Sequence, residues 1–239
     1  MPRLDRHLSK QLNIKRSDVR RLLAQGRILV DGKPATDISQ TINQFSLVEC
    51  DGQSTLANTA RYLMLHKPAG VVSATQDQQH QTVIDLLEQP WKDQLHIAGR
   101  LDFNTTGLML LTNDGLWSRQ LSLPGSQLVK RYRVQVEQPL SIDYIDAFEQ
   151  GFYFDYENIT TRPAELKILS DFVAEVGLVE GRYHQIKRMF GQFDNKVLSI
   201  HRFAVGSLVL DNELNPGQSR SLSPAELEAL ATMMGQART

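Results

Sequence analysis

The chain has 239 residues, 41% hydrophobic and 22% charged, with a formal net charge of −1, the balance of an ordinary globular protein long enough to bury a sizeable core. Its one cysteine, Cys50, excludes an internal disulfide and a cysteine-based metal site, and six scattered histidines show no H-x-x-x-H spacing, so neither metal nor cofactor is expected. No apolar run approaches the roughly 20 residues that span a bilayer, and "MPRLDRHLSKQLNIKR" lacks the apolar stretch of a secretion signal; a cytoplasmic protein with no membrane partner is expected.

Charge is unevenly spread. Residues 1–33 hold nine Lys and Arg against Asp5, Asp18 and Asp31, a net +6 that leaves −7 for the remainder. This is a basic module on a mildly acidic body, although a solvated helix face gives the same pattern. Within it Leu4, Leu8 and Leu12 recur every four residues, one face of a helix. Ser17 is placed to cap a second helix, "DVRRLLAQ", with Val19, Leu22 and Leu23 inward and Gly26 as its stop. "RILVDGKPAT" then predicts a strand entering an Asp31-Gly32 hairpin. Arg16, Arg20 and Arg27 fall off the apolar face, available to a partner. "DGQSTLANTA", residues 51–60, is polar and aperiodic and reads as a linker.

Beyond it, "YLMLHKP" and "GVVSAT" read as strands and "TVIDLLEQ" as a helix. Leu95–Ala98 and Leu108–Leu111 read as short buried strands. "KRYRVQVEQPL" alternates, with Tyr132, Val134 and Val136 on one face. "SIDYIDAFEQG" predicts a helix with a Ser141 cap and a Gly151 stop. "AELKIL", "FVAEVGLVE" and "LSIHRFAVGSLVL" are strand-like. "SPAELEALATMM" closes as a helix with a Ser223–Glu226 capping box and Pro224 in its first turn. With no βαβαβ alternation, no phosphate-binding glycine loop and no internal repeat, this part is expected to be α+β on a largely antiparallel sheet.

Three stretches carry candidate chemistry. In "LHIAGRLDFNTTGLMLLTNDG" a lone carboxylate, Asp102, sits in an irregular segment framed by two buried strands. Arg100 precedes it, Asn104, Thr105 and Thr106 follow, and Gly107 permits an unusual backbone conformation. A turn aspartate bonding nearby amides is the plain alternative, but flanking core strands would hold the loop as rigidly as a catalytic group requires. In "EGRYHQIKRMF", Ile186, Met189 and Phe190 face the core and Arg182, Lys187 and Arg188 line the other side. They form either a solvated helix face or a cationic wall that pairs with a carboxylate and meets phosphates. A cation beside Asp102 would keep it ionised. In "QLVKRYRVQV", basic residues including Lys130 flank Tyr132, which either packs in the core or offers a stacking surface to a flipped base.

"GRLDFNTTGLMLLTNDG" strongly resembles the signature of the pseudouridine synthases of the RsuA type, in which the aspartate after "GRL" is catalytic. "KRYRV" resembles that family's second motif, whose tyrosine stacks on the target uracil. "EGRYHQIKRMF" resembles the third, whose basic residue at the Lys187 position pairs with the aspartate. "RYLMLHKPAGVVSAT" resembles the opening segment, a strand leading to a lysine-proline-x-glycine turn. "RLDRHLSKQLNIKRSDVRRLLAQGRILVDGKP" resembles the RNA-binding domain named after ribosomal protein S-four. The resemblance implies two domains. Residues 1–57 would be a small α/β RNA-binding domain. Residues 58–239 would be a catalytic domain of pseudouridine synthase fold, a mainly antiparallel mixed sheet flanked by helices. "GRYHQIKRM" is closer to members acting on small-subunit 16S rRNA than to relatives with an asparagine-arginine-glutamine pattern. Those carry arginine where Lys187 stands, so the bidentate arginine geometry is absent here. Ile200 stands where the family has leucine.

The reaction implied is isomerisation of a uridine already in RNA, on free 16S rRNA or a small-subunit assembly intermediate, by a monomer. The catalytic residues implied are Asp102, Tyr132 and Lys187. Arg100, Thr105, Thr106, Lys130, Arg182 and Arg188 are expected at the RNA, as are Arg3, Lys15, Arg16, Arg20 and Arg27 of the N-terminal domain. Three other readings differ in outcome. A synthase acting on 23S rRNA differs only in substrate. A glycoside hydrolase would leave an abasic sugar and ordinarily needs two carboxylates. A non-enzymatic ribosome-assembly binder would be indifferent to Asp102→Asn.

Overall fold

The computed structural model describes residues 3–56, 58–122 and 127–236. The chain divides into two compact units, Met1–Ala60 and Arg61–Thr239. The boundary expected at 57/58 adjoins Ala57, which lies outside the described residues.

In the first unit, α1 (Leu4–Gln11) and α2 (Arg16–Ala24) pack Leu4, Leu8 and Val19 onto Ile28, Val30, Ile42 and Val48. Ser17 is not the cap. Helix α2 begins one residue before it, and the Lys15 N–H donates to the Asp18 carboxylate at 3.3 Å. Gly26, at φ +68°, lies just past the end of α2. The Asp31-Gly32 turn has both residues at positive φ, the conformation whose twist matches a hairpin. It joins β1 (Ile28–Val30) to β2 (Lys33–Pro34), within an antiparallel sheet of order β2-β1-β3-β4. The last two strands, β3 (Val48–Cys50) and β4 (Gln53–Leu56), turn on a second Asp-Gly pair, Asp51 and Gly52. Most of the expected linker is therefore a hairpin, formed by the same turn chemistry on a strand too polar to show alternation.

The second unit is built on a nine-stranded sheet. In chain order its elements are β5 (Tyr62–Lys67), β6 (His96–Ile97), β7 (Thr106–Thr112), α3 (Gly115–Ser122), β8 (Lys130–Val136) and α4 (Asp143–Gln150). A separate hairpin follows, β9 (Tyr153–Phe154) with β10 (Ile159–Thr160), and then β11 (Glu165–Ser170) and β12 (Val173–Leu178). The remaining elements are α5 (Gln185–Gly191), β13 (Val197–Val205), β14 (Leu208–Val209), β15 (Ser219–Ser221) and α6 (Pro224–Gln236). The sheet runs β11-β12-β8-β13-β7-β5-β15, with β14 on β13 and β6 on β7. Every pairing is antiparallel except β7 with β13.

Alternation along the strands divides the core. Leu63, Leu65, Met109, Leu111, Tyr132, Val134 and Val136 pack with Phe148 of α4 and Met189 and Phe190 of α5. Met64, Leu108 and Leu110 point the opposite way, into a second cluster with Trp117, Leu121, Leu230 and Met234 of α3 and α6. Strands covered on both faces read as unbroken apolar runs, as β5 and β7 do. The Ser223–Glu226 capping box forms reciprocally, at 2.7 and 3.2 Å.

Three local expectations give way. "GVVSAT" supplies only an isolated bridge, Val72 to Thr82. "TVIDLLEQ" makes a turn in place of a helix: the Asp85 carboxylate accepts from both the Thr82 N–H and its hydroxyl at 2.8 Å, closing the chain locally. Its Val83, Ile84 and Leu87 are buried all the same. The helix after Ser141 starts at Asp143 with Ile142 at its N-cap and no side-chain cap; Ser141 Oγ donates to Asp143 instead.

Gly107 decides the join between the two antiparallel halves. It pairs with Arg202 across the parallel seam at φ +110°, and a Cβ there would overlap the Arg202 carbonyl. Only glycine allows the two backbones so close.

Candidate active site

Residues 98–105 connect β6 to the start of β7 at this seam, and almost every carbonyl of the loop is taken. Arg202 Nη2 donates to Gly99 O at 3.2 Å and Nη1 to Arg100 O at 3.4 Å, while Nε holds Leu108 O at 2.8 Å. The Ser73 hydroxyl donates to Leu101 O and accepts from Leu101 N–H. Asp102 O closes a turn on Thr105 N–H at 3.0 Å. Lys67 Nζ donates to Phe103 O at 3.0 Å, Thr105 O at 2.9 Å and Pro68 O at 3.0 Å. Both cations are essentially inaccessible, Lys67 at 0% and Arg202 at 2% exposure. Two buried charges thus bind backbone, one on each half of the loop, and lock the peptide that carries Asp102. Burial pulls the Lys67 ammonium down to about 8, against an upward pull from Asp102 and a further downward push from Arg202.

The Asp102 side chain itself is about one third exposed, with Oδ2 3.6 Å from His184 Nε2. It lies in the wall of a cleft of about 500 Å³, which Arg100, Thr105, Tyr132, Arg182, Lys187 and Ile200 also line. Tyr132 is 8% exposed, its ring reaching the cleft from the core face of β8. The fold therefore gathers six of the sequence-predicted residues at one place: Arg100, Asp102, Thr105, Tyr132, Arg182 and Lys187.

Other expectations are corrected. Among the described residues, no ion pair within 4 Å joins Lys187 to Asp102; the group that reaches the carboxylate is His184. The reason is local. His184 takes the left-handed conformation, φ +49° and ψ +31°, immediately before α5. Thr106, Lys130 and Arg188 do not line the cleft. Thr106 Oγ1 bonds His201 Nδ1 at 2.9 Å. Lys130 is held down in pKa chiefly by burial, then by Arg202. Arg188 is forked onto Glu157 at 2.6 Å and lies over the Phe154 ring. In the first unit, Arg3 and Arg16 compensate the buried Asp5, and Arg27 is forked onto Asp51. Lys15 and Arg20 are exposed. Those arginines are therefore already partnered, through a carboxylate buried at α1 and a turn acid brought round by the second hairpin.

Sequence reasoning missed Lys67, Arg202 and His184. The "HKPAG" turn and the "YHQ" before α5 hold the signal for two of them. Nothing in "LSIHRFAV" separates a strapping arginine from an exposed one. No group of three or more His, Cys, Asp or Glu placed to hold a metal occurs among the described residues. No helix among them is long and apolar enough to cross a membrane.

Residues 61–192 match the family model for RNA pseudouridylate synthase, and residues 2–46 match the S4 domain. Similar curated proteins include the ribosomal small subunit pseudouridine synthase A of Pseudomonas aeruginosa, 50% identical over 94% of this chain and 98% of that one. The protein of the same name from Escherichia coli strain K12 is 36% identical over 95% of this chain and 99% of that one. A solved structure, a crystal structure of pseudouridylate synthase, superposes with a TM-score of 0.70 at 35% identity, covering 96% of this chain and 100% of the other.

Proposed function

This chain belongs to the RNA pseudouridylate synthase family and carries an S4 domain, and we propose that it converts one uridine of small-subunit 16S rRNA to pseudouridine, using Asp102. The observation that carries the reading is one carboxylate, fixed from behind by two buried cations, in a cleft with a tyrosine and three further basic side chains. The proteins that it resembles over 94% and 95% of its length are named for the small ribosomal subunit, which supports 16S over 23S rRNA. The S4 unit supplies affinity and address through exposed bases such as Lys15 and Arg20. The protein works as a cytoplasmic monomer on free rRNA or an assembly intermediate.

In the reaction the N1–C1′ bond breaks, the uracil turns, and its C5 bonds to C1′. The C5 proton is lost and N1 regains one, so mass is conserved and no redox partner is needed. The ionised Asp102 starts bond cleavage. Lys187, Arg100 and Arg182 line the same cleft and bring positive charge to the RNA phosphates. Tyr132 meets the face of the uracil. Pulling a base from its stack costs a few kcal/mol, and stacking on an aromatic ring returns about 1–3 kcal/mol.

The direct test maps pseudouridine by carbodiimide modification and primer extension on unmodified 16S and 23S rRNA particles treated with the full chain. One new stop on 16S material, with no abasic site, is the expected result. A stop only on 23S material would move the substrate; an abasic site would make the enzyme a hydrolase. In the same assay Tyr132→Ala is expected to lose about ten- to a hundredfold in turnover, and Tyr132→Phe to retain most of it. Equal loss in both would assign the role to the hydroxyl.

A further inference from the structure

At the mouth of the cleft, Tyr183 is 74% exposed, and its ring lies on His184 with centroids 3.9 Å apart and planes 22° from parallel. His184 in turn reaches Asp102 through Nε2. The order outward from the carboxylate is thus imidazole, then phenol, then solvent. The segment is held firmly. Gln185 Oε1 accepts from Arg182 N–H at 3.0 Å, buried Gln185 Nε2 donates to Glu180 at 2.8 Å, and Arg188 Nη1 reaches Tyr183 O at 3.5 Å. A ring with one face covered and most of its surface in water pays a hydration cost that its own fold does not recover. Its setting is cationic: Arg100 and Lys187 line the same cleft, as does Arg182, which is paired with Glu180 at 3.1 Å.

We propose that the stacked Tyr183–His184 pair is a platform for the base of a nucleotide next to the target uridine. The proposal rests on the function argued above. Extracting a uridine leaves its neighbours with an uncovered stacking face. Tyr132, nearly buried, serves the target base in the depth of the cleft; Tyr183, at the rim, offers a second aromatic face to a neighbouring base. The platform binds RNA and orients it, and takes no part in bond making. Any base has such a face, so the contact discriminates through position along the strand and not by reading base edges.

The test is the rate of tritium release from C5-labelled uridine in small-subunit particles assembled on unmodified 16S rRNA, measured against particle concentration. Tyr183→Ala is expected to raise KM about tenfold, with kcat within about threefold of wild type. Tyr183→Phe, which keeps the ring, restores the wild-type KM; Tyr183→Leu, which covers His184 without an aromatic face, does not. An unchanged KM in Tyr183→Ala overturns the proposal. So does a fall in kcat at constant KM, since that would mean Tyr183 only holds His184, and so does a Tyr183→Phe as defective as Tyr183→Ala. If the wild-type chain releases no tritium, the function itself fails and the platform with it; if it releases tritium and the variants match it, only the platform fails.

Discussion

Asp102→Asn is expected to lower pseudouridine formation about a thousandfold or more while leaving stability within about 0.5 kcal/mol of wild type. The two halves follow from one geometry. The backbone of Asp102 is held by its carbonyl on Thr105 N–H, and the loop around it by Lys67, Arg202 and Ser73, none of which bonds the carboxylate. Among the described residues, the ion-pair partner of the side chain is the partly exposed His184, at 3.6 Å. Asparagine keeps the shape and removes the charge and the proton-accepting oxygen that the chemistry uses. Single-turnover kinetics on 16S particles, with a urea melt of the same sample, separate the effects. Wild-type turnover by the variant would remove Asp102 from the chemistry, and no turnover by either protein would favour an RNA-binding role. A large loss of stability would show the carboxylate to be structural.

Lys67→Met is expected to destabilise the second unit by about 3 kcal/mol at neutral pH and to cost about a hundredfold in turnover. Methionine fills the space but leaves the carbonyls of Pro68, Phe103 and Thr105 without their shared donor. Two of these belong to the loop that carries Asp102, and a displacement of about 1 Å there accounts for the loss in rate. The pH dependence has a definite sign. Burial lowers the Lys67 ammonium from its ordinary 10.5 to about 8. Between those values the unfolded chain binds a proton that the folded chain releases, so stability from this group rises with pH through that window. Below pH 8 both states are charged and the contribution is flat. Urea midpoints at pH 7 and pH 9 check this: the gap between wild type and Lys67→Met widens at the higher pH. A gap that narrows would mean that the carbonyls hold the ammonium up against burial, and a variant as stable as wild type at pH 7 would show that the strap is dispensable.

Much was legible in the sequence because it depends on neighbours along the chain. Asp31-Gly32 forms its turn from two residues that tolerate positive φ. Tyr132, Val134 and Val136 share a face because strands have a period of two. Ser223 and Glu226 cap α6 across three residues. Asp102 stood out for the same reason, a lone carboxylate between two apolar runs and ahead of a glycine. What the tertiary structure alone decided depends on partners far away in the chain. Arg202, 103 residues from Gly99, became a strap only when the parallel seam brought β13 beside β7. Lys67 became buried only when the loop folded over its ammonium. His184, and not Lys187, reached Asp102 because a left-handed residue before α5 aims the imidazole at the loop. A cation's charge is written in its side chain; whether it meets phosphate, carboxylate or backbone is set by what the folded chain leaves within about 3 Å of it.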